Sequence, residues 1–300
     1  MYYILYGFLY LVSLLPFFIV YRIADCIYFL LYFVAGYRKK VVMENLSIAF
    51  PNKTIEERTS IAKQFYKNLI DTFLESIKLL SMSDTTFAKR ASMDLSEVNQ
   101  LIAKGKNLQF HSGHQMNWEY AHWAVATQIN TSWVGVYKKI GNPAVDRLFM
   151  KLRSKGRTVL VAVHEFKGRA HTVFNQQYAL GLIADQNAGK PASGYWLNFF
   201  GRPVPFVTGP DKGALKNNPA IIFVKFVKLK RGYYRFEPYV IAEEGANFKE
   251  GELTRIYRDF LEKSIVEDPA NYLWTHRRWR RQYRQEYEKR WIDNKPPLQQ

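Results

Sequence analysis

Cysteine is nearly absent from this sequence. Its one residue, Cys26, excludes an intramolecular disulfide, argues against a secreted disulfide scaffold and fits a reducing compartment. Histidine is scarce too, six in 300 residues, and no Cys/His cluster has zinc-site spacing. His111 and His114 lie three apart without an evident third ligand, so no metal is expected. His164-Glu165 lacks the second histidine of a zinc-protease helix and is assigned no catalytic role. Acidic residues are in deficit, 26 against 43 Lys and Arg, which leaves a net charge of +17. That excess attracts polyanions without choosing among nucleic acid, anionic lipid and an acidic carrier protein. Internal repeats and low-complexity segments are missing, so a repeat architecture is not expected. The apolar N-terminus has no basic residue ahead of it and no clean small-x-small site behind it, which argues against a cleaved signal peptide.

Apolar and aromatic side chains are plentiful. At 48% hydrophobic and 16% aromatic, the chain can build one sizeable core plus an attachment segment. Residues 1–21 carry no charged side chain and have the length of one bilayer crossing, although Pro16 would kink or end a helix there. A second apolar run, 26–37, is too short to span alone and is expected to extend the first helix or lie in the interface. Arg22 and Asp25, three apart, are expected to pair between the runs. Arg22, Arg38, Lys39 and Lys40 all follow the first run, which places the remainder of the chain in the cytoplasm by the positive-inside rule. The alternative is a buried core helix. The expected division is therefore a membrane anchor and interfacial segment, 1–37, and one domain, 38–300.

Within that domain, Thr54-Ile55-Glu56-Glu57 reads as a capping box, and Ile61, Phe65, Leu69 and Phe73 recur at helical spacing behind it. Residues 92–106 read as a helix or turn connection. Strands are expected over 107–110, 132–137, 158–163, 179–184, 220–227 and 233–239, and helices over 117–128, 143–154, 165–177, 248–266 and 271–283. That alternation predicts an α/β fold, a mixed sheet flanked by helices. A Pro/Gly-rich stretch, 187–194, reads as a loop beside the site.

The stretch on which the chain centres is His111-Ser112-Gly113-His114-Gln115-Met116-Asn117-Trp118-Glu119-Tyr120. On a continuous helix His114 and Glu119 would point roughly 140° apart. They meet only if the chain bends, as at a strand–loop–helix corner at the carboxyl end of a strand. A carboxylate beside an imidazole fixes its tautomer and suits it to general-base work. On one His and one Glu alone, two unrelated polar residues would be the better reading. Arg153 offers a fork for phosphate or carboxylate, against the alternative of a solvated helix arginine. Asp185 ends an apolar strand, where an unpaired carboxylate is costly; pairing with Arg153 is expected, against the alternative of an ordinary turn residue. The basic run His276–Arg281, with Trp274 and Trp279, suits a membrane interface or single-stranded nucleic acid, and the anchor favours lipid phosphate. His111, His122 and His171 are read as structural.

Gly113-His114-x-x-Asn117-Trp118-Glu119 resembles the H-x4-(D/E) box of the lipid A late acyltransferases, the lauroyl and myristoyl transferases within the lysophospholipid acyltransferase group. The likeness spans most of the chain in the family's order. Asn45-Leu46-x-x-Ala49-Phe50-Pro51 with Glu57-Arg58 is similar to the family's early segment. Asp185-Gln186-Asn187 and Phe199-Phe200-Gly201 are similar to its middle, and Tyr272-Leu273-Trp274-x-His276-Arg277-Arg278 to its end. Gln115-Met116 departs from the commonest form of the box.

The resemblance implies a glycerolipid-acyltransferase-like fold with an N-terminal membrane-anchoring helix and no cofactor. It implies O-acyl transfer from acyl carrier protein to a hydroxyl on an acyl chain of a lipid A precursor, at the cytoplasmic side of the bacterial inner membrane. His114 would take the hydroxyl proton and Glu119 would orient the imidazole, with no covalent acyl-enzyme. Arg153, Asp185 and Asn117 are the expected substrate-side residues. Nucleic acid is not an expected partner. Two alternatives stand beside this: the same chemistry on a lysophospholipid or aminoacyl lipid, and a non-catalytic membrane or nucleic-acid binding protein.

Overall fold

The computed structural model describes residues 1–297, apart from the side chains of Lys167, Ala170 and His171, so the reading of His171 lies outside the described residues. The expected α/β class is found. Strands β1 (Ala91–Met93), β2 (Leu108–Ser112), β3 (Ser132–Tyr137), β4 (Thr158–Ala162) and β5 (Tyr178–Ile183) precede a hairpin, β6 (Tyr195–Phe199) and β7 (Arg202–Phe206). β8 (Ala220–Lys230) and β9 (Tyr233–Ala242) follow. Seven strands form one mixed sheet in the order β1-β9-β8-β2-β5-β3-β4, parallel except where β8 meets β9.

The period-2 pattern of β8 explains how the sheet is held. Ile222, Val224 and Phe226 enter a core shared with the helix Trp118–Ala126, whereas Ile221 and Phe223 enter a second core on the opposite face. The helices Lys39–Ala49, Ile55–Lys78 and Glu252–Glu267 cover that second face with Leu46, Phe65 and Leu261. Each such fully buried side chain contributes about 1.5–3 kcal/mol. The capping box forms as expected: Thr54 Oγ1 accepts from the Glu57 N–H at 3.2 Å and Glu57 Oε2 from the Thr54 N–H at 2.7 Å. Phe65 and Leu69 are buried, but Phe73 leaves the core and stands edge-on to Trp118.

Several expectations are corrected. Residues 271–283 are not helical, because their backbone groups serve other partners. The Leu273 N–H donates to the His114 carbonyl at 3.0 Å, and Asn45 Nδ2 donates to the carbonyls of Trp274 and His276, both at 2.7 Å. The β6–β7 hairpin was not anticipated. It turns on Phe200 and Gly201, both at positive φ (50° and 73°), the requirement of a two-residue type I′ turn.

The N-terminal run is also divided differently. Pro16 separates the helix Tyr2–Leu14 from Phe17–Phe29, and the latter continues as a wide turn through Leu30–Val34. Phe17–Val34 is therefore the stretch long and apolar enough to cross a bilayer, not residues 1–21. Asp25 accepts from Arg231 Nη2 at 2.8 Å and so is not the partner of Arg22.

Candidate active site

Parallel pairing of β2 with β5 sets Ser112 opposite Ile183. Two residues beyond each strand end, His114 and Asp185 fall side by side. The imidazole Nδ1 lies 2.5 Å from Asp185 Oδ1, and the His114 backbone N–H donates to Asp185 Oδ2 at 3.0 Å. The Asp185 side chain is fully buried and that of His114 a quarter exposed. Burial alone would raise the Asp185 carboxyl, but the His114 imidazole beside it and the hydrogen bonds it accepts hold it down to about 2. Asp185 is thus an ionised acceptor that holds the imidazole by its Nδ1–H. Nε2 is left without a partner among the described residues, and His114 lines a cavity.

The expected His114–Glu119 contact does not form, nor does the expected Arg153–Asp185 pair. Glu119, 2% exposed in the first turn of Trp118–Ala126, takes the Arg153 fork instead: Nε donates at 3.0 Å and Nη2 at 2.5 Å. Arg153 ends the helix Pro143–Arg153, whose last carbonyls are held by side chains of the neighbouring helix. Trp123 Nε1 donates to Leu152 O at 2.7 Å, and His122 Nε2 to Arg153 O at 2.8 Å, while His122 Nδ1 accepts from Trp133 Nε1 at 3.1 Å. The partners are therefore exchanged: His114 with Asp185, Glu119 with Arg153.

Asn117 is fully buried and is not among the residues that line the cavity. It caps the helix, its Oδ1 accepting from the Tyr120 N–H at 3.2 Å. Asp185 is equally buried and not in the lining, and its carboxylate faces the imidazole.

The cavity, about 480 Å³, has His114, Glu119 and Arg153 in its wall with Phe110, Trp133 and Phe226. Gly135 and Gly181 face each other across β3 and β5, and Phe110 continues that row on β2. A Cβ on Gly181 would sit 2.6 Å from the Trp133 ring, so glycine is what lets that indole lie across the sheet. The result is an apolar trough with a basic nitrogen and a guanidinium in its wall, the composition of a ligand site. A larger charged cavity, about 750 Å³ beside Asp25, Asp71 and Arg231, has those charges paired with one another.

The basic run at 276–281 is not purely a surface feature. Arg278 is 1% exposed, donates to Asn187 Oδ1 at 2.8 Å and Pro205 O at 3.1 Å, and lies 4.3 Å from the Phe206 ring centroid. Asn187, in the expected loop, is thereby tied to the end segment. His111 is buried between Phe223 and Tyr257, and burial pushes it down to about 3, in keeping with a structural role. Sequence reasoning missed Glu75, which accepts from Asn117 Nδ2 at 3.0 Å. Its sequence signal is slight: it shares the helical stretch 69–77 with Asp71, and residues 69–76 are buried except for Phe73.

The family model for bacterial lipid A biosynthesis acyltransferases matches residues 1–281. Among curated proteins no match was found.

Proposed function

The chain belongs to the bacterial lipid A biosynthesis acyltransferase family, an assignment that makes it an acyltransferase, and we propose that it moves a fatty acyl chain from an acyl carrier protein thioester to a hydroxyl of a lipid A precursor. The observation that carries this reading is the His114–Asp185 pair beside an apolar trough. His114 Nε2 takes the hydroxyl proton as the oxygen attacks the thioester carbonyl. The new C–O bond forms, the C–S bond breaks, and the leaving thiolate recovers the proton from the imidazolium. Glu119 acts through Arg153: it grips Nε and Nη2 and leaves Nη1 for an anionic or carbonyl oxygen of substrate. The trough between the helix Trp118–Ala126 and the sheet takes the acyl chain. The acidic carrier suits a protein of net charge +17.

The test is turnover of acyl carrier protein thioester by purified protein, with lipid mass spectrometry on a deletion strain. The expected result is thiol release, faster than from the CoA thioester and slowed by salt, and a lipid A short of one secondary acyl chain in the deletion strain. An unchanged lipid A profile would overturn the acceptor, and no thioester turnover would overturn the reaction.

Membrane attachment belongs to the same reading, with the domain on the cytoplasmic side of the inner membrane. Tyr3, Ile4, Phe8, Leu11, Phe18, Phe29 and Phe33 are exposed along the two N-terminal helices. The opposite face is tied to the domain by polar bonds that a bilayer crossing would break. Lys78 Nζ donates to Leu15 O at 2.8 Å, and Tyr21 Oη to Glu75 Oε1 at 3.0 Å. This favours helices lying in the interface. Replacing Phe8, Leu11, Phe29 and Phe33 with serine should release the protein from membranes at high salt, since each loses about 1.5–3 kcal/mol of apolar insertion. Full retention of that variant would argue for a spanning helix instead.

A further inference from the structure

Glu75 is a carboxylate with no exposure to solvent, and no step above uses it. It sits in the last turns of Ile55–Lys78 and receives three donors from three separate elements. Tyr21 Oη reaches Oε1 at 3.0 Å from the N-terminal helix, Tyr234 Oη reaches Oε2 at 2.7 Å from β9, and Asn117 Nδ2 reaches Oε2 at 3.0 Å from the central corner. An isolated charge in this place is unfavourable, and an apolar side chain would fill the same space without that cost. What the carboxylate adds is direction. Asn117 must present Oδ1 to the Tyr120 N–H to cap the helix, and an amide can do so only if its NH2 finds an acceptor on the other side. Glu75 is that acceptor. Glu119 lies two residues after Asn117 and His114 three residues before it.

We propose that Glu75 is a positioning residue for acyl transfer, locking the Asn117 amide and thereby the first helical turn that carries Glu119. The inference rests on reading His114 as the base. The other charged and titratable groups facing Glu75 are Asp71 on its own helix, Tyr120 on the corner helix and Lys228 on β8, with Tyr21 and Tyr234 as donors. Burial, and after it Asp71, push Glu75 up to about 7, so assays at pH 8 observe it as the acceptor of all three bonds.

The test compares full-length Glu75→Leu, Glu75→Gln and Asn117→Ser at pH 8, with kcat and KM for the acyl thioester and a thermal melt for each. Glu75→Leu should lower kcat about 10–100-fold, the scale of a small misplacement of reacting groups, with KM moved less than about threefold. Glu75→Gln should recover kcat to within about threefold of wild type, because its oxygen can still accept from Asn117 while its NH2 faces Tyr21. Asn117→Ser keeps a cap oxygen but removes the NH2 that reaches Glu75, so it should match Glu75→Leu. Wild-type kcat in folded Glu75→Leu, or Glu75→Gln as slow as Glu75→Leu despite a recovered melting temperature, overturns the proposal. If Glu75→Leu does not fold, wild-type kcat in Asn117→Ser overturns it instead. Undiminished turnover by His114→Ala in the same assay would strike the assignment of the base, a separate failure.

Discussion

His114→Ala should lower kcat by about 10²–10⁴-fold and leave the KM for the acyl thioester nearly unchanged, because a positioned general base contributes on that scale. A hydroxyl is a poor nucleophile near neutral pH, and its proton must leave as the carbonyl is attacked. The imidazole is placed for this: Nδ1 is engaged by a buried carboxylate, Nε2 has no partner among the described residues, and the residue lines the cavity. His111 is the contrast. It is close in sequence, but its Nε2 accepts from Gln109 Nε2 at 2.8 Å and its ring is enclosed by Phe223 and Tyr257. Folded His111→Ala protein should keep most of its turnover while melting at a lower temperature. Near-normal kcat in folded His114→Ala, or a collapse confined to His111→Ala, would remove His114 from the reaction.

Much of the fold is readable from period and punctuation. Ser132–Tyr137 has the same bounds in the structure as in the sequence pattern, and the parallel strands β2, β4 and β5 differ from expectation by one or two residues at their ends. β3, β4 and β5 are short apolar runs between polar turns, a form in which the signal is strong. The misreadings share a cause. Residues 271–283 carry apolar side chains at plausible helical spacing, but the carbonyls of Trp274 and His276 are taken by Asn45 and the Leu273 N–H by the His114 carbonyl. Those partners lie far away in sequence, beyond any local pattern. The Phe200-Gly201 turn failed differently: a phenylalanine at positive φ is not a residue that announces a type I′ hairpin.

The site divides along the same line. That His114, Glu119, Arg153 and Asp185 cluster was legible; who pairs with whom was not. Proximity in sequence suggested Glu119 for His114, five residues away. The structure gives the imidazole to Asp185, because strand register acts over 71 residues as firmly as a helix turn acts over four. A sequence signal for this did exist. Two apolar strands each end two residues before a titratable side chain, His114 after Ser112 and Asp185 after Ile183, and neighbouring parallel strands would align those ends. Glu75 had no comparable signal, since its role follows from three donors brought together only by the tertiary fold.

Asp185→Asn is therefore expected to cost more than Glu119→Gln, the reverse of what sequence proximity suggests. Asp185 Oδ2 is committed to the His114 backbone N–H, so the amide oxygen of an asparagine would take that bond. Its NH2 would then face Nδ1, which must become an acceptor, and the ring proton would move to Nε2. The imidazole would present a donor where the reaction needs a base. The loss of kcat should be about 10²–10⁴-fold, the range in which the handling of a wrong tautomer by the serine-protease aspartate falls. Adding His114→Ala to Asp185→Asn should cost little more, since the two act as one unit. Stability carries a separate signature. Asp185 is held down to about 2 from an ordinary value of 3.8, so its contribution is fully present above about pH 4 and is lost as pH falls toward 2. Urea unfolding should find wild type more stable than Asp185→Asn above pH 4, with the gap closing between pH 4 and pH 2. A kcat within about threefold of wild type in Asp185→Asn, or a stability gap that does not change across that interval, would show that the carboxylate is not what holds the imidazole.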